Sequence, residues 1–276
     1  VKGRVDVTKS RGGPAQRAAF GRPLERGDRV AVSAGGSATL FFNDGNVLEL
    51  AEKSSLRIGG QVGGRAGRTT GLPSDVYASV AKFVAGGSRE TGLVALSTLR
   101  SAPADAGAPF LIAPRRTALM TDRPTFAWRK VPGATRYRVT MSSAESGELW
   151  NREVEGLSLP FPTDAAALAR SAEYLWEIEA LSDVKSLRKE STVFNVTSDG
   201  QTGTVRANLT RIHERAGGVE NPAAQFLAGS LLSGLGLFAD AIEQFVAMCG
   251  LMPSLAAPHE ALGAVYTKVG LADLAA

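Results

Sequence analysis

Apolar and polar residues alternate over short stretches through the first two-thirds of the chain, then switch to helical spacing. Alternation marks strands, because successive side chains on extended backbone point to opposite faces. It marks "VKGRVDV" at the start, "RVAVS" at 29–33, "ATLFF" at 38–42 and "VLEL" at 47–50. Asp44-Gly45 between the last two is a tight-turn signal, since glycine takes positive φ without a Cβ clash. "GGS" at 35–37 is a second turn, so 27–58 is predicted to be an antiparallel meander. After Pro73, Ser74 and Asp75 can open a short helix with Val76, Val80, Phe83 and Val84 on one face. A closing strand is predicted at 92–99.

"SAPADAGAP", residues 101–109, reads as a linker, because small residues and proline favour extended backbone with few contacts. Beyond it, strands are predicted at 124–128, 137–142, 149–155, 173–181 and 191–197, a spacing that suits a β-sandwich. In 173–181 the alternation places Tyr174, Trp176, Ile178 and Ala180 on one face. From about residue 203 the pattern is helical, with a first helix predicted over Val205–Ala216. Gly229 and Gly263 are 34 residues apart, as are Gly236 and Gly270, Leu237 and Leu271, and Ala241 and Ala275. The predicted architecture is therefore multidomain and mainly β with an α C-terminal part. A small all-β domain (1–100) precedes a β-sandwich (110–198) and helical repeats (203–276).

Composition agrees with many turns: the 276 residues include 31 Gly and 13 Pro. At 44% hydrophobic the chain can bury a core, and a single cysteine excludes a disulfide scaffold. The net charge of +4 is unevenly spread. Residues 1–100 hold 15 Lys+Arg against 8 Asp+Glu, a balance of +7; 101–200 balance at −1 and 201–276 at −2. No run reaches the ~20 apolar residues needed to cross a bilayer; the longest weakly polar run is Phe226–Ala239. The chain starts at Val1 without an initiator Met and stops inside the second helix of its second clear repeat. A signal peptide or membrane anchor before Val1 and further repeats after Ala276 are expected on that ground.

Three resemblances follow from these residues. Gly21–Ile58, with Gly27-Asp28, Ala38–Phe42, Asp44-Gly45, Val47–Leu50 and Leu56–Ile58 in order, resembles the FecR-type extracytoplasmic domain. That family implies an all-β module on the outer side of a bacterial cytoplasmic membrane, used for signalling or protein contact and not for catalysis. Residues 110–198 resemble a fibronectin type III-like sandwich, on Pro124 with Trp128, "VPGATRYRV", and Leu168 with Tyr174 six residues on. The last spacing matches a tyrosine corner, in which a buried phenol bonds to upstream backbone, although Ala169 and Arg170 stand where a proline is customary. The 34-residue period resembles the tetratricopeptide repeat. Gly229, Ala241, Phe245 and Pro253 hold its small, aromatic and terminal positions, and Gly263 and Tyr266 repeat the pattern. Gln225 and His259 stand where that repeat usually has Trp.

No catalytic constellation emerges. His213, His259 and Cys249 are isolated and lack metal-site spacing, so no metal or cofactor is expected. Cys249 reads as a small core residue and Glu177 and Glu179 as a solvated row. "SVAK" at 79–82 matches Ser-x-x-Lys but lacks the partner motifs of acyl enzymes. The glycine-rich 59–72 lacks phosphate-loop spacing; Arg65 and Arg68 within it are candidate anion contacts. Nothing interleaves aromatic and basic residues as nucleic-acid binding would. The expected function is a non-enzymatic scaffold, an accessory subunit of a membrane complex on the outer face of a bacterial membrane. Its expected partners are other proteins and an anionic membrane surface. Two alternatives stand beside it: an envelope signalling regulator, and a carbohydrate- or peptidoglycan-binding module using Trp128, Trp150 or Trp176 as a platform.

Overall fold

The computed structural model describes residues 1, 3–19, 22–41, 46–59, 62–63, 69–71, 110–216, 218–254 and 256–275. Asp44, Gly45, Arg65 and Arg68, the helix expected after Pro73, the strand expected at 92–99 and the linker all lie outside them.

The N-terminal strands are β1 (Val5–Thr8), β2 (Gln16–Arg17), β3 (Arg29–Val32), β4 (Ala38–Phe41), β5 (Asn46–Leu50), β6 (Ser55–Arg57), β7 (Val62–Gly63) and β8 (Thr69–Gly71). They form two sheets, β2-β1-β3-β6-β7 and β4-β5-β8. The meander expected over 27–58 is therefore corrected. β3 pairs with β1 and β6, while β4 and β5 leave that sheet as a hairpin of the other. Burial decides it: Val5, Val7, Val30, Val32, Ala38, Leu48, Leu50 and Leu56 form one core, which a single flat sheet could not enclose. The Gly27-Asp28 pair serves the fold of this module. Gly27 has φ +94°, and a Cβ there would sit 2.8 Å from Ser10 Cβ. The buried Asp28 carboxylate accepts from Lys9 Nζ (2.9 Å), Ser10 N (2.9 Å) and Glu25 N (3.0 Å). The hydrogen bond from Lys9 leads in pulling its pKa down to about 2.

The sandwich comprises β9 (Leu111–Ala113), β10 (Thr117–Leu119), β11 (Thr125–Trp128), β12 (Arg136–Ser143), β13 (Gly147–Val154), β14 (Ser158–Pro160), β15 (Glu173–Leu181) and β16 (Ser186–Val196). A three-stranded sheet, β14-β11-β9, and a five-stranded sheet, β10-β16-β15-β12-β13, share one apolar core. β10 runs parallel to β16 and forms one edge of the larger sheet.

Four helices follow: α1 (Asp199–Arg215), α2 (Pro222–Gly234), α3 (Phe238–Leu251) and α4 (Ala256–Val269). α1 starts six residues before the expected Val205, because Ser198 and Gln201 form a capping box. The last expected helix is corrected to a short 3-10 turn over Ala272–Leu274. The 34-residue spacing is repeated in the backbone. Gly236 and Gly270 have φ +77° and +79°. In each case the glycine N–H bonds three residues back, Gly236 to Ser233 (3.2 Å) and Gly270 to Thr267 (3.1 Å). The next N–H bonds five back, Leu237 to Leu232 (2.9 Å) and Leu271 to Tyr266 (2.8 Å). This is the same Schellman cap twice, and only a residue tolerant of positive φ closes it without strain.

Candidate functional site: the joint between sandwich and helices

The predicted helix residues divide by role. Gly229 lies under the Phe245 ring, where a Cβ would meet three ring atoms at 2.7 to 3.0 Å. Phe245 and Ala241 are fully buried. Gly263 faces the Ala275 carbonyl, 3.1 Å from an ideal Cβ. Tyr266 is half-buried, and burial pushes its phenol pKa up. Pro253 is exposed, its carbonyl 3.2 Å from His259 Nε2. Cys249, expected in the core, is only half-buried and stands outside the buried cluster.

In the sandwich, Leu168 is buried and the Tyr174 hydroxyl donates to the Ala169 carbonyl at 3.2 Å. Arg170, two residues after Leu168, reaches across to the helices. Its Nε pairs with Asp199 at 2.8 Å, and Nη1 donates to the Met120 carbonyl at 3.1 Å. Trp128, Trp150 and Trp176 are all buried, which corrects the ligand-platform alternative. Their rings fill the space between the sheets: Trp150 and Trp176 lie edge-on to Phe126, and Trp128 packs on Tyr137. Glu177 and Glu179 are tied to Lys189 (2.7 Å) and Arg138 (3.0 Å).

These placements converge on one region, where the helices close the β10 edge of the larger sheet. Ala118 N donates to the Gly236 carbonyl at 2.9 Å, so an edge amide is satisfied by a helix corner. Leu237, the residue at the N-cap of α3, supplies no side-chain cap. The buried Thr117 hydroxyl of β10 supplies it instead, accepting from Ala239 N at 3.2 Å. Arg115 reaches the far end of α4, where Nε donates to the Val269 carbonyl at 2.8 Å. A cation there satisfies an orphan carbonyl and complements the negative helix end. Its Nη1 also bonds Glu190 at 2.6 Å, and Glu190 in turn accepts from the backbone of Phe110 and Leu111. Arg129 pairs with Asp273.

The apolar cores interlock at the same place. Ala118 and Met120 of the sandwich pack into the helical core, and Ala239 of α3 packs into the sandwich core. Beside the joint is an open cleft of about 360 Å³ lined by Thr197, Gln201, Val205, Asn208, Leu231 and Leu237. In the first turn of α3, burial and the neighbouring Glu243 carboxylate push the Asp240 pKa up to about 6. Burial pushes His213 down. Among the described residues no group of three His, Cys, Asp or Glu could hold a metal ion, and no helix is long and apolar enough to cross a membrane.

Thr117 and Arg115 were not singled out by sequence. The trans-cap could have been suspected from Leu237, a helix start with no capping side chain, but not the residue that supplies it.

No family model and no curated protein matches the chain. Among solved structures, it is similar to the fn3 domain of human collagen alpha-1(XX) chain, at 17% identity and TM-score 0.27. The match covers 36% of this chain and 95% of that one. A Fn3-like protein from Clostridium thermocellum matches at 15% identity and TM-score 0.24, covering 33% of this chain and 97% of the other. A beta-1,2-glucanase from Parabacteroides distasonis matches at 9% identity and TM-score 0.26, covering 55% of this chain but 25% of the enzyme. TM-scores this low carry no inference about fold, activity or partner.

Proposed function

We propose that the protein is a non-enzymatic scaffold whose sandwich and helices act together as one interaction platform. The joint carries this reading. Thr117 caps α3, Ala118 bonds the Gly236 corner, Arg115 holds the end of α4, and Arg170 holds the start of α1. An interface tied at three helices and packed from both cores fixes an angle between two binding modules. A flexible tether would leave that angle free. Fixed geometry is what an accessory subunit contributes when it holds other proteins at set positions.

The finer reading is a FecR-like domain, a fibronectin type III-like sandwich and tetratricopeptide-type repeats, working on the outer face of a bacterial membrane as part of a membrane complex. The twice-repeated Schellman cap and the seating of Phe245 over Gly229 support the repeat assignment. The order of residues in 21–58 supports the first. Affinity capture of the full-length protein from detergent-solubilised membranes tests the reading. Stoichiometric co-purification of other subunits is expected. A monodisperse protein that captures nothing refutes it, and a sub-stoichiometric transmembrane partner favours the signalling alternative.

A further inference from the structure

The outward face of the sheet β2-β1-β3-β6-β7 carries an arrangement that stability alone disfavours. Val30 and Leu56 are buried cross-strand partners, so Arg29 and Arg57, the next pair in register, share the opposite, exposed face. Two like charges directly opposite one another on a sheet repel. A third arginine joins them. Gly27 N bonds the Ile58 carbonyl at 2.8 Å and Ile58 N bonds the Asp28 carbonyl at 2.8 Å, a bulge that sets Gly27, with φ +94°, and Asp28 together opposite Ile58. The Arg26 side chain runs along Gly59, its Cγ 3.0 Å from where a Cβ would stand.

No carboxylate neutralises the three among the described residues. Asp6 is held by Arg4 at 3.0 Å and Asp28 by Lys9 at 2.9 Å. Glu52 accepts from the backbone of Gly35 at 2.7 Å. The hydrogen bond that Arg29 Nη2 makes to Ser55 Oγ is long, at 3.5 Å. Arg29 and Arg57 are thus exposed cross-strand partners, and the exposed Arg26 lies at the end of the same strand pair, beside Gly59.

We infer that Arg26, Arg29 and Arg57 form a docking surface for the phosphate groups of an anionic lipid membrane. The inference rests on the proposed membrane location and names the residues that would meet the surface. Guanidinium groups match phosphate oxygens by paired N–H donors. An acidic protein partner fits less well. Protein interfaces centre on buried apolar or aromatic anchors, and the described residues of this module expose no large apolar side chain. A membrane needs no such anchor, and each basic residue near it adds about five-fold to binding.

The test is co-sedimentation of the full chain with vesicles of phosphatidylglycerol and phosphatidylcholine, at low and moderate salt. The triple variant Arg26→Gln/Arg29→Gln/Arg57→Gln is expected to lose about 100-fold in binding to the anionic vesicles. A control triple with the same charge change, Lys185→Gln/Arg206→Gln/Arg215→Gln, is expected to bind like the parent protein. Equal losses in both triples would reduce the effect to net charge and overturn the proposal. So would a parent protein that ignores the vesicles yet still captures protein partners from solubilised membranes, and that result would leave the scaffold reading standing. A single variant separates fold from function. Arg57→Glu places an acid opposite Arg29, so it should raise the melting temperature while weakening vesicle binding. A rise in both would also overturn the proposal.

Discussion

Replacing Gly229 by alanine sets two effects of opposite sign against each other. In an exposed helix the change would stabilise by about 1 kcal/mol, because glycine costs backbone entropy that alanine does not. In α2 the new methyl would lie 2.7, 2.8 and 3.0 Å from three atoms of the Phe245 ring. Carbon atoms pack best at about 3.5–4.0 Å, so the methyl and the nearest ring atom must separate by roughly 0.8–1.3 Å. The ring cannot give way into solvent: Phe245 is fully buried, and Phe226 packs beside it at 6.3 Å between centroids. Overpacking of this kind costs about 1–3 kcal/mol, and contact with three atoms of a fixed ring puts it near the top. The net is a destabilisation of about 2 kcal/mol, or roughly 4–8 °C in melting temperature for a unit of this size. Thermal denaturation followed by circular dichroism measures it. Phe245→Leu costs stability on its own, but should reduce the penalty of Gly229→Ala in a double-mutant cycle, since it removes the clashing ring atoms. If Gly229→Ala instead stabilises by the full propensity gain, the close seating of α3 on α2 is wrong.

Other substitutions test the joint and the cores. Tyr174→Phe removes the donor to the Ala169 carbonyl but keeps the stack on Phe194, so a loss of about 1–3 kcal/mol is expected in urea denaturation, and an unchanged midpoint would contradict the bond. Thr117→Val keeps the shape but removes the trans-cap of α3, at a cost of about 1–2 kcal/mol. Helical ellipticity should then melt earlier than the tryptophan signal of the sandwich, and coincident, unshifted transitions would show that the cap contributes nothing. Asp240 has a native pKa raised to about 6 against an ordinary 3.8, so the folded state holds the proton longer. Stability attributable to Asp240 therefore falls as pH rises from about 4 to about 6 and stays level above. Asp240→Asn should stabilise by about 1–2 kcal/mol at pH 7 and by little at pH 4, whereas parallel stability curves would disprove the shift.

Sequence by itself determined the local elements wherever a period or a cap is strong. The alternation in 173–181 coincides with β15, and its apolar set Tyr174, Trp176, Ile178 and Ala180 is buried, joined at the strand's end by Leu181. The 34-residue spacing anticipates two identical glycine caps, because positive φ is a property of one residue and needs no distant partner. Other features needed the third dimension. β9, β10 and β14 have three residues each, too few for alternation to register, and they exist because longer strands offer an edge. β3 and β4 are separated by a turn that a sequence cannot distinguish from a hairpin; only the burial of one shared core sends them to different sheets. The same holds at the joint. Thr117 and Ala239 are 122 positions apart, and no local rule connects a strand hydroxyl to an uncapped helix amide. The tertiary fold decides that pairing, because an orphan donor is satisfied by whichever acceptor packing brings within reach.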